Sequence, residues 1–343
     1  MQSDLPSRVP LICLACRKQE GSDWNLHTLE VARVARADGD DILDGALRCV
    51  DPACGKEYPI LDGIAVVHPD PAALLERELA GLFDPALAPE ALALLARDVP
   101  DDKPLTRQLE VLSIYLDGHW ADHAYPTPNG VPHPAGPELL ARVRTSVEHA
   151  PVRRAVELGS SVGRWTHILA GGAELTVALD QSLGALRRAR RILAGQTLAY
   201  ARRSIGRYYT TARISAPPVT TPVLFVCGDA HDPPFAPASF DRVVALNLLD
   251  IVPNPARVLD VAAALCRPGA DLHVASPYAW TTGHVDEGKR VGARDPAIGV
   301  ANHLRGAGLV VEDEADFPWR LRRDDRATVV YLTHYLRARR PGL

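Results

Sequence analysis

The sequence predicts an α/β fold in which a doubly wound sheet is preceded by a small cysteine-rich module and a helical connection. Two observations carry this prediction. From residue 150 onward, short apolar runs alternate with helical patterns, which is typical of a parallel sheet with helices on both faces. Four of the 6 cysteines lie in the first 54 residues, in two close pairs. A chain of 343 residues has room for two or three domains.

The composition is that of a globular protein. Apolar residues make up 47% of the chain and charged residues 23%, which excludes a disordered chain, a collagen and a disulfide scaffold. The sequence contains no long apolar run of the length that a membrane-spanning helix needs. The N-terminus lacks a basic start and a long apolar core, so we expect no signal peptide and a cytoplasmic protein.

The formal net charge of −4 gives no general reason to expect a nucleic-acid partner. The charge is uneven, however. Residues 187–213 carry eight arginines and no acidic residue, and residues 318–343 carry seven arginines against two aspartates. Basic runs are usually solvated surfaces, so nucleic acid or an anionic substrate stays open as a partner without being favoured.

The cysteine pairs near the N-terminus have the spacing of metal ligands. Cys13 and Cys16 form a tight pair, and Cys49 and Cys54 form a looser one with four residues between them. Two such turns can offer four thiolates to one zinc ion, which we expect to be structural because no coordination position stays open. The alternative is a set of unrelated or redox-active cysteines. The remaining two, Cys227 and Cys266, lie in apolar patterns and are expected to be buried.

Residues 55–67 read as a strand, an Asp-Gly turn and a second strand. Together with the cysteine pairs, this makes residues 1–68 resemble the zinc-ribbon family of methyltransferase-activating subunits, the Trm-type activators. In that family a second cysteine pair precedes a Tyr-Pro-Ile-x-x-Gly-Ile segment, here residues 58–64. The resemblance implies a zinc-ribbon domain that serves a methyltransferase as a partner or accessory module. The longer second cysteine pair departs from the family pattern.

Residues 69–149 are rich in alanine, leucine and proline and are predicted to form a helical linker or lid. Helical spacing runs over residues 71–97, and a further helix is expected over 105–116. Aromatic residues and histidines follow in residues 115–125. They could cover a substrate or cofactor, or they could belong to a linker whose aromatic side chains plug a groove.

The segment from residue 155 to residue 163 has the pattern of a strand, a glycine turn and a helix start. Such a turn lets the backbone approach a ligand closely, and the helix N-terminus favours negative charge. A second strand over 175–179 ends at Asp180, an acid placed to accept hydrogen bonds from ribose hydroxyls. These features alone fit either a dinucleotide or an S-adenosylmethionine (SAM) site.

Three further features favour a SAM site over a dinucleotide site. Ser161 stands where a full G-x-G-x-x-G would have its middle glycine. A strand over 223–227 ends in Gly-Asp-Ala, and residues 234–247 read PFAPASFDRVVALN. Residues 150–343 thereby resemble the class I SAM-dependent methyltransferases, which have a Rossmann-like sheet.

The resemblance implies SAM as cofactor and assigns its contacts. The glycine turn would hold the amino-acid part of SAM, Asp180 and its neighbour the ribose, and the Gly-Asp-Ala segment the adenine, while the end of the fourth strand lies under the sulfonium. The implied residues are Glu157, Gly159, Ser161, Gly163, Asp180, Gln181, Asp229, Ala230 and Asn247.

The methyl acceptor is suggested by three segments, residues 245–259, 275–280 and 316–323. In this order they resemble the C-terminal 4-mercaptohistidine N-methyltransferase domain of ovothiol synthases, as does the insertion over 195–222. The resemblance implies N-methylation of an imidazole ring in a small molecule or peptide. The sulfoxide-synthase part of those enzymes is absent and the cysteine module stands in its place, so the acceptor could differ.

Side chains just beyond the fourth and fifth strands are candidates for the chemistry, because the acceptor must approach there. Asp250 and Tyr278 could fix the tautomer of the ring and take its proton. Tyr278, Trp280 and Trp319 could contact the ring, and Arg320 could pair a substrate carboxylate. Alternatively, Asp250 caps a helix and the aromatic residues only wall the pocket.

Other functions stay open from sequence alone. They are methylation of RNA or protein, O- or N-methylation of another natural product, and a non-catalytic SAM-binding scaffold. The zinc module could present a large substrate, and the arginine-rich stretch could contact phosphates. The sequence does not determine the oligomeric state.

Overall fold

The structure is a computed structural model of the chain. The residues that it describes are 1–20, 23–76, 104–124, 136–206, 208–280, 284–285, 287–292 and 294–342. Most of the predicted helical pattern of residues 71–97 lies outside the described residues. No helix among those described is both long enough and apolar enough to cross a membrane.

The N-terminal part begins with a one-turn helix and continues as antiparallel strands. Helix α1 spans Leu5–Arg8, and strands β1 to β6 span Lys18–Glu20, Asp23–Asn25, Leu29–Asp38, Asp41–Cys49, Glu57–Leu61 and Ile64–Val66. The predicted Asp-Gly turn joins β5 to β6. Asp62 and Gly63 both have a positive φ there, which these two residue types tolerate.

The described residues between this part and the second half of the chain include three helices. Helices α2, α3 and α4 span Pro71–Glu76, Pro104–Trp120 and Pro137–His149. The predicted helix over 105–116 is confirmed as α3, which continues to Trp120 and a short 3-10 turn at Ala121–His123.

The second half alternates strands and helices, as the sequence predicts. Its elements are β7 Val152–Leu158, α5 Arg164–Ala170, β8 Ala173–Asp180, α6 Leu183–Leu193, β9 Leu198–Ile205, β10 Tyr208–Ile214, β11 Val223–Cys227, β12 Phe240–Leu246, α7 Pro255–Leu265, β13 Cys266–Ser276, α8 Pro296–Gly306, β14 Val310–Asp324 and β15 Ala327–Arg339. The insertion over 195–222 forms the separate antiparallel hairpin β9–β10. Cys227 and Cys266 are fully buried, as expected.

Strands from both halves form one continuous sheet within the described part of the chain. The order of its 11 strands is β14-β15-β13-β12-β7-β8-β11-β6-β5-β4-β3. The strands from β13 to β6 in this order pair in parallel. At one edge β14 pairs antiparallel with β15 and β15 with β13, and at the other edge β6, β5, β4 and β3 pair antiparallel with one another. The doubly wound α/β sheet is therefore confirmed.

The junction within this sheet is the pairing of β6 with β11. Val226 lies opposite Ala65 and Cys227 opposite Val66, and the Val67 backbone N–H donates to the Cys227 carbonyl at 2.9 Å. The spacing of residues in the sequence does not predict this junction. The cysteine module is thus an extension of the central sheet.

The buried side chains follow the sheet across the junction. Leu47 and Tyr58 of the module belong to the same hydrophobic cluster as Leu179 and Val226, and all four are fully buried. Burial of a large apolar side chain contributes about 1.5–3 kcal/mol to folding, so this shared core holds the two parts together.

Helix α3 is attached to the sheet by buried polar contacts. The Trp120 indole N–H donates to the Val162 carbonyl at 2.9 Å. Asp117 accepts two hydrogen bonds from the Arg322 guanidinium, at 2.6 and 3.0 Å, and one from the Tyr200 hydroxyl at 2.5 Å. The side chains of Asp117 and Arg322 are only 2% and 3% exposed.

This ion pair yields a prediction about stability. Asp117→Ala leaves the Arg322 guanidinium buried and uncompensated, so we expect the free energy of unfolding to fall by about 3–5 kcal/mol in urea denaturation. The control is Asp325→Ala, which removes the surface partner of Arg202 and should cost less than about 1 kcal/mol. Equal losses in the two variants would contradict the structural role of the buried pair.

Candidate active site

The glycine turn lies between β7 and α5, at the carboxyl edge of the sheet. Gly159, Ser161 and Gly163 all have a positive φ, and the backbone N–H groups of Gly159 and Ser160 donate to the Leu179 carbonyl at 2.8 and 2.9 Å. A Cβ on Gly159 would lie 2.8 Å from the Leu248 side chain, so only glycine fits. Gly163 begins α5 and packs on Ala189, where a Cβ would come within 2.7 Å.

Asp180, at the end of β8, holds the turn in place. Its carboxylate accepts a hydrogen bond from the Ser161 backbone N–H and another from the Ser182 backbone N–H, both at 2.8 Å. The first of these bonds stabilises Ser161 in its left-handed conformation, which a non-glycine residue rarely adopts. Burial raises the pKa of Asp180 above its ordinary value.

Glu157 precedes the turn at the end of β7 and is not among the described residues that line the two cavities beside the turn. It is 1% exposed and accepts a hydrogen bond from the Thr166 hydroxyl in α5. Burial raises its pKa well above the ordinary range, and the nearby Asp180 adds to the effect. The position therefore supports the turn from below.

Asp229 follows β11 and is oriented by His231. The backbone N–H and the Nδ1 of His231 lie 2.9 and 2.8 Å from the same carboxylate oxygen. The Asn254 backbone N–H donates to His231 Nε2 at 3.3 Å, which places the ring proton on Nδ1. Although burial opposes it, the hydrogen bonds from His231 hold the pKa of Asp229 below its usual value, so the carboxylate stays ionised.

Two cavities flank Gly159 and Asp180. The first has a volume of about 210 Å³ and contains five of the predicted cofactor residues among its lining: Gly159, Asp180, Gln181, Asp229 and Ala230. The second has a volume of about 280 Å³ and contains Ser161 and Asn247 in addition to the shared Gly159 and Asp180. Asn247 also has a positive φ, which asparagine tolerates better than most residues. The structure thus brings the predicted SAM residues together, apart from Glu157 and Gly163.

The residues predicted for the acceptor lie elsewhere. Asp250 is buried and accepts a hydrogen bond from the Ser276 hydroxyl at 3.3 Å, and burial raises its pKa. The Tyr278 hydroxyl lies 2.9 Å from His334 Nδ1, and Trp280 packs beside Tyr278. None of these three is among the described residues that line the two cavities.

The other two predicted acceptor contacts already have protein partners. Trp319 is 3% exposed and stacks on Trp165, with ring centroids 5.7 Å apart. Arg320 forms an ion pair with Glu138 at 3.5 Å. Neither side chain faces the cavities in the described structure, so their role as substrate contacts stays a prediction.

Helices α3 and α5 contribute aromatic side chains to the lining of the second cavity. Val111, Tyr115 and His119 of α3 line it together with Trp165 of α5. The sequence predicts that the histidines and aromatic residues of 115–125 form a lid or a linker, but it does not point to Trp165. The one feature that could have identified Trp165 is its position two residues after the last glycine of the turn.

The cysteine pairs meet in space. The Sγ atoms of Cys13, Cys16, Cys49 and Cys54 all lie within 4.8 Å of one another. Cys13 and Cys54 are 3.7 Å apart, and Cys16 and Cys49 are 3.5 Å apart. Four ligands about 2.3 Å from a tetrahedral zinc would be about 3.8 Å from each other, so the donor set fits this ion.

The geometry of Asp180 yields a prediction about SAM binding. In Asp180→Asn an amide nitrogen would face a backbone N–H donor, and a charged acceptor would be lost. We expect the Kd for SAM in calorimetry to rise about 10- to 100-fold. Because the pKa of Asp180 is raised, wild-type affinity should fall as the pH drops through that pKa, and the variant should lose this dependence.

The control for this experiment is Asp260→Asn. Asp260 is bonded to His303 on the surface, away from both cavities, so its replacement should leave the Kd for SAM unchanged. An unchanged Kd in Asp180→Asn would mean that this carboxylate takes no part in cofactor binding.

Comparison with known proteins agrees with the site. Residues 156–274 match the family described as "Methyltransferase domain". No protein of curated function matches the chain. Among solved structures, a candidate methyltransferase of Bacillus halodurans is similar at 14% identity, covering 59% of this chain and 99% of that one, with a TM-score of 0.43.

Two further solved structures are similar. One is in the Haloferax volcanii complex of the Trm112 methyltransferase activator with a candidate methyltransferase, at 15% identity over 60% of this chain and 89% of that chain, with a TM-score of 0.39. The other is a SAM-dependent methyltransferase of Methanosarcina mazei, at 14% identity over 55% and 93%, with a TM-score of 0.38. The family match carries the assignment: residues 156–274 form a methyltransferase domain, and the chain is a SAM-dependent methyltransferase of the class I fold.

Proposed function

We propose that this methyltransferase N-methylates an imidazole-type ring of a small molecule or a peptide. The observation that supports this is the second cavity, which adjoins the predicted SAM residues and whose far wall is aromatic. A flat, uncharged ring matches such a wall.

SAM supplies a methyl group that is already activated as a sulfonium, so the task of the protein is alignment. The glycine turn, Asp180 and Asp229 hold the cofactor, and the α3 wall holds the ring in line with the methyl group. A neutral imidazole nitrogen carries a lone pair near pH 7 and needs no strong base. We keep Asp250 and Tyr278 as candidates for the outer, proton-accepting side of the site.

Methylation of RNA is the main alternative, and the arginine-rich stretch over 187–213 bears on it. Four of its eight arginines form ion pairs within the protein. Arg187 bonds Asp62 at 3.0 Å and Arg190 bonds Asp41, which ties α6 to the N-terminal module. Arg202 pairs with Asp325 at 2.8 Å and Arg203 with Glu110 at 2.7 Å. This engagement favours a small acceptor over a polyphosphate.

We further propose that the four-cysteine cluster holds a structural zinc ion and that residues 1–68 form a zinc-ribbon domain on the methyltransferase sheet. The Tyr58 hydroxyl accepts hydrogen bonds from the Leu14 and Ala15 backbone N–H groups at 3.2 Å, which shapes the first cysteine turn. Residues 69–149 would then be the linker that carries the α3 wall. Free thiols fit a reducing compartment, so we propose a cytoplasmic location.

The zinc proposal predicts the effect of removing one ligand. Cys54→Ser should lower the bound zinc from about one ion per chain to a small fraction, measured by metal analysis, and should reduce thermal stability. The control is Cys266→Ala, which changes a buried cysteine outside the cluster. This variant should still bind about one zinc ion per chain. Full zinc in Cys54→Ser, or none in the wild type, would refute the zinc site.

The acceptor proposal is tested by transfer of tritium from methyl-labelled SAM. Histidine, thiohistidine, a mixture of histidine-containing peptides and total RNA are offered in parallel. We expect label on a histidine-type acceptor and a loss of at least tenfold in Asp229→Ala, with Asp260→Ala as the unaffected control. Label in RNA alone would replace the imidazole proposal by the nucleic-acid alternative.

A further inference from the structure

The second cavity contains polar atoms that no group of the described residues satisfies. Within the described part of the chain, His119 Nδ1 and Trp165 Nε1 are buried without a hydrogen-bond partner, and so are both amide atoms of Asn247. All three residues line this cavity, and the His119 and Trp165 side chains are more than nine-tenths buried. Unsatisfied buried polar groups are rare and costly, so their convergence at one cavity points to a ligand that completes them.

The ring of His119 is held by its neighbours and is uncharged. It stacks on Tyr115 at 6.1 Å and meets the edge of Trp319 at 5.3 Å. Burial lowers the pKa of His119 to about 3, and the Arg164 guanidinium adds to the effect. His119 therefore acts as a neutral hydrogen-bond partner in the range where the protein works.

The lining also defines the charge of the ligand. No arginine or lysine is among the described residues that line this cavity, and the nearby Arg164 guanidinium is paired with Asp122 at 2.6 Å. The two arginines nearest in sequence to Trp319 are engaged elsewhere, Arg320 with Glu138 and Arg322 with Asp117. A carboxylate or phosphate placed in this cavity would have no counter-charge from them.

We propose that the part of this cavity lined by α3 and α5 is the methyl-acceptor site, where His119 accepts a hydrogen bond from the ring N–H of an uncharged planar nitrogen heterocycle and Trp165 packs beside the ring, while Gly159, Ser161 and Asn247 would contact the cofactor. The inference rests on the proposed function and deepens it. It places the acceptor against α3 and α5 and makes His119 a specificity-determining residue. Tyr278 and Trp280 then lie outside the acceptor contacts.

In the methyl-transfer step one bond forms and one bond breaks. The lone pair of one ring nitrogen forms the new N–CH₃ bond while the S–CH₃ bond breaks and the sulfur keeps the electron pair. The proton of the second ring nitrogen leaves to water after transfer. His119, which is neutral, accepts a hydrogen bond from that N–H and so selects the ring orientation.

The test is direct binding of imidazole to the full-length protein loaded with S-adenosylhomocysteine, measured by calorimetry at pH 8, where the ring is largely neutral. We expect imidazole to bind, and 1,3-dimethylimidazolium, which is charged and lacks an N–H, to bind at least tenfold more weakly. His119→Phe should weaken imidazole binding at least tenfold and change S-adenosylhomocysteine affinity less than twofold. The control His303→Ala, a surface histidine on α8, should bind as the wild type does.

Three outcomes would overturn the inference. The first is no imidazole binding to the wild type, and the second is unchanged imidazole affinity in His119→Phe. The third is a loss of S-adenosylhomocysteine affinity alone, which would place His119 in the cofactor site. If His119→Phe fails to fold, His119→Asn retains a polar atom near Nδ1 and should retain imidazole binding.

The binding test and the activity test distinguish failure of the proposed site from failure of the proposed reaction. Imidazole binding that depends on His119, without methyl transfer to any imidazole acceptor, would support the site and reject the proposed reaction. Transfer that is insensitive to His119→Phe in both KM and kcat would support the reaction and reject this site.

Discussion

The parallel pairing of β6 with β11 is the constraint on which the rest of the structure depends. Without it β11 would be a sheet edge with unpaired backbone groups, and edges of this kind invite aggregation. The chain leaves β11 at Gly228 and reaches Asp229 at once, so the same pairing positions one end of the predicted cofactor site. Gly228 also lies close to the junction of β6 with β11, since a Cβ on Gly228 would lie 2.9 Å from the Val67 carbonyl oxygen.

The cysteine module therefore acts through the sheet. Its cluster joins the chain near residue 13 to the chain near residue 54, and between them β3, β4 and β5 extend the sheet outward. A small module of this kind has little core of its own, so the shared core stabilises it, and the zinc ion that we propose would add to that stability. Ion pairs from α6, such as Arg187 with Asp62, add a polar attachment on the same side.

Helix α3 is fixed in the same way beside the predicted active site. The Asp117–Arg322 pair joins it to β14, and the Trp120–Val162 hydrogen bond joins it to the glycine turn. These contacts present His119 and Tyr115 to the cavity beside Asn247. A buried ion pair is a costly way to gain stability, but it is well suited to fixing the orientation of a helix over a binding site.

The parallel sheet, the glycine turn and the positions of Asp180 and Asp229 at its edge could be predicted from the sequence. These follow from local spacing, because the residues that end adjacent parallel strands meet at one edge whatever the rest of the chain does. Two features required the folded structure: β6 continues the methyltransferase sheet, and the aromatic lining of the second cavity comes from α3 and Trp165, without Tyr278 and Trp280. Such pairings join residues far apart in the chain, and their energy comes from burial and shape, which periodicity and spacing do not encode.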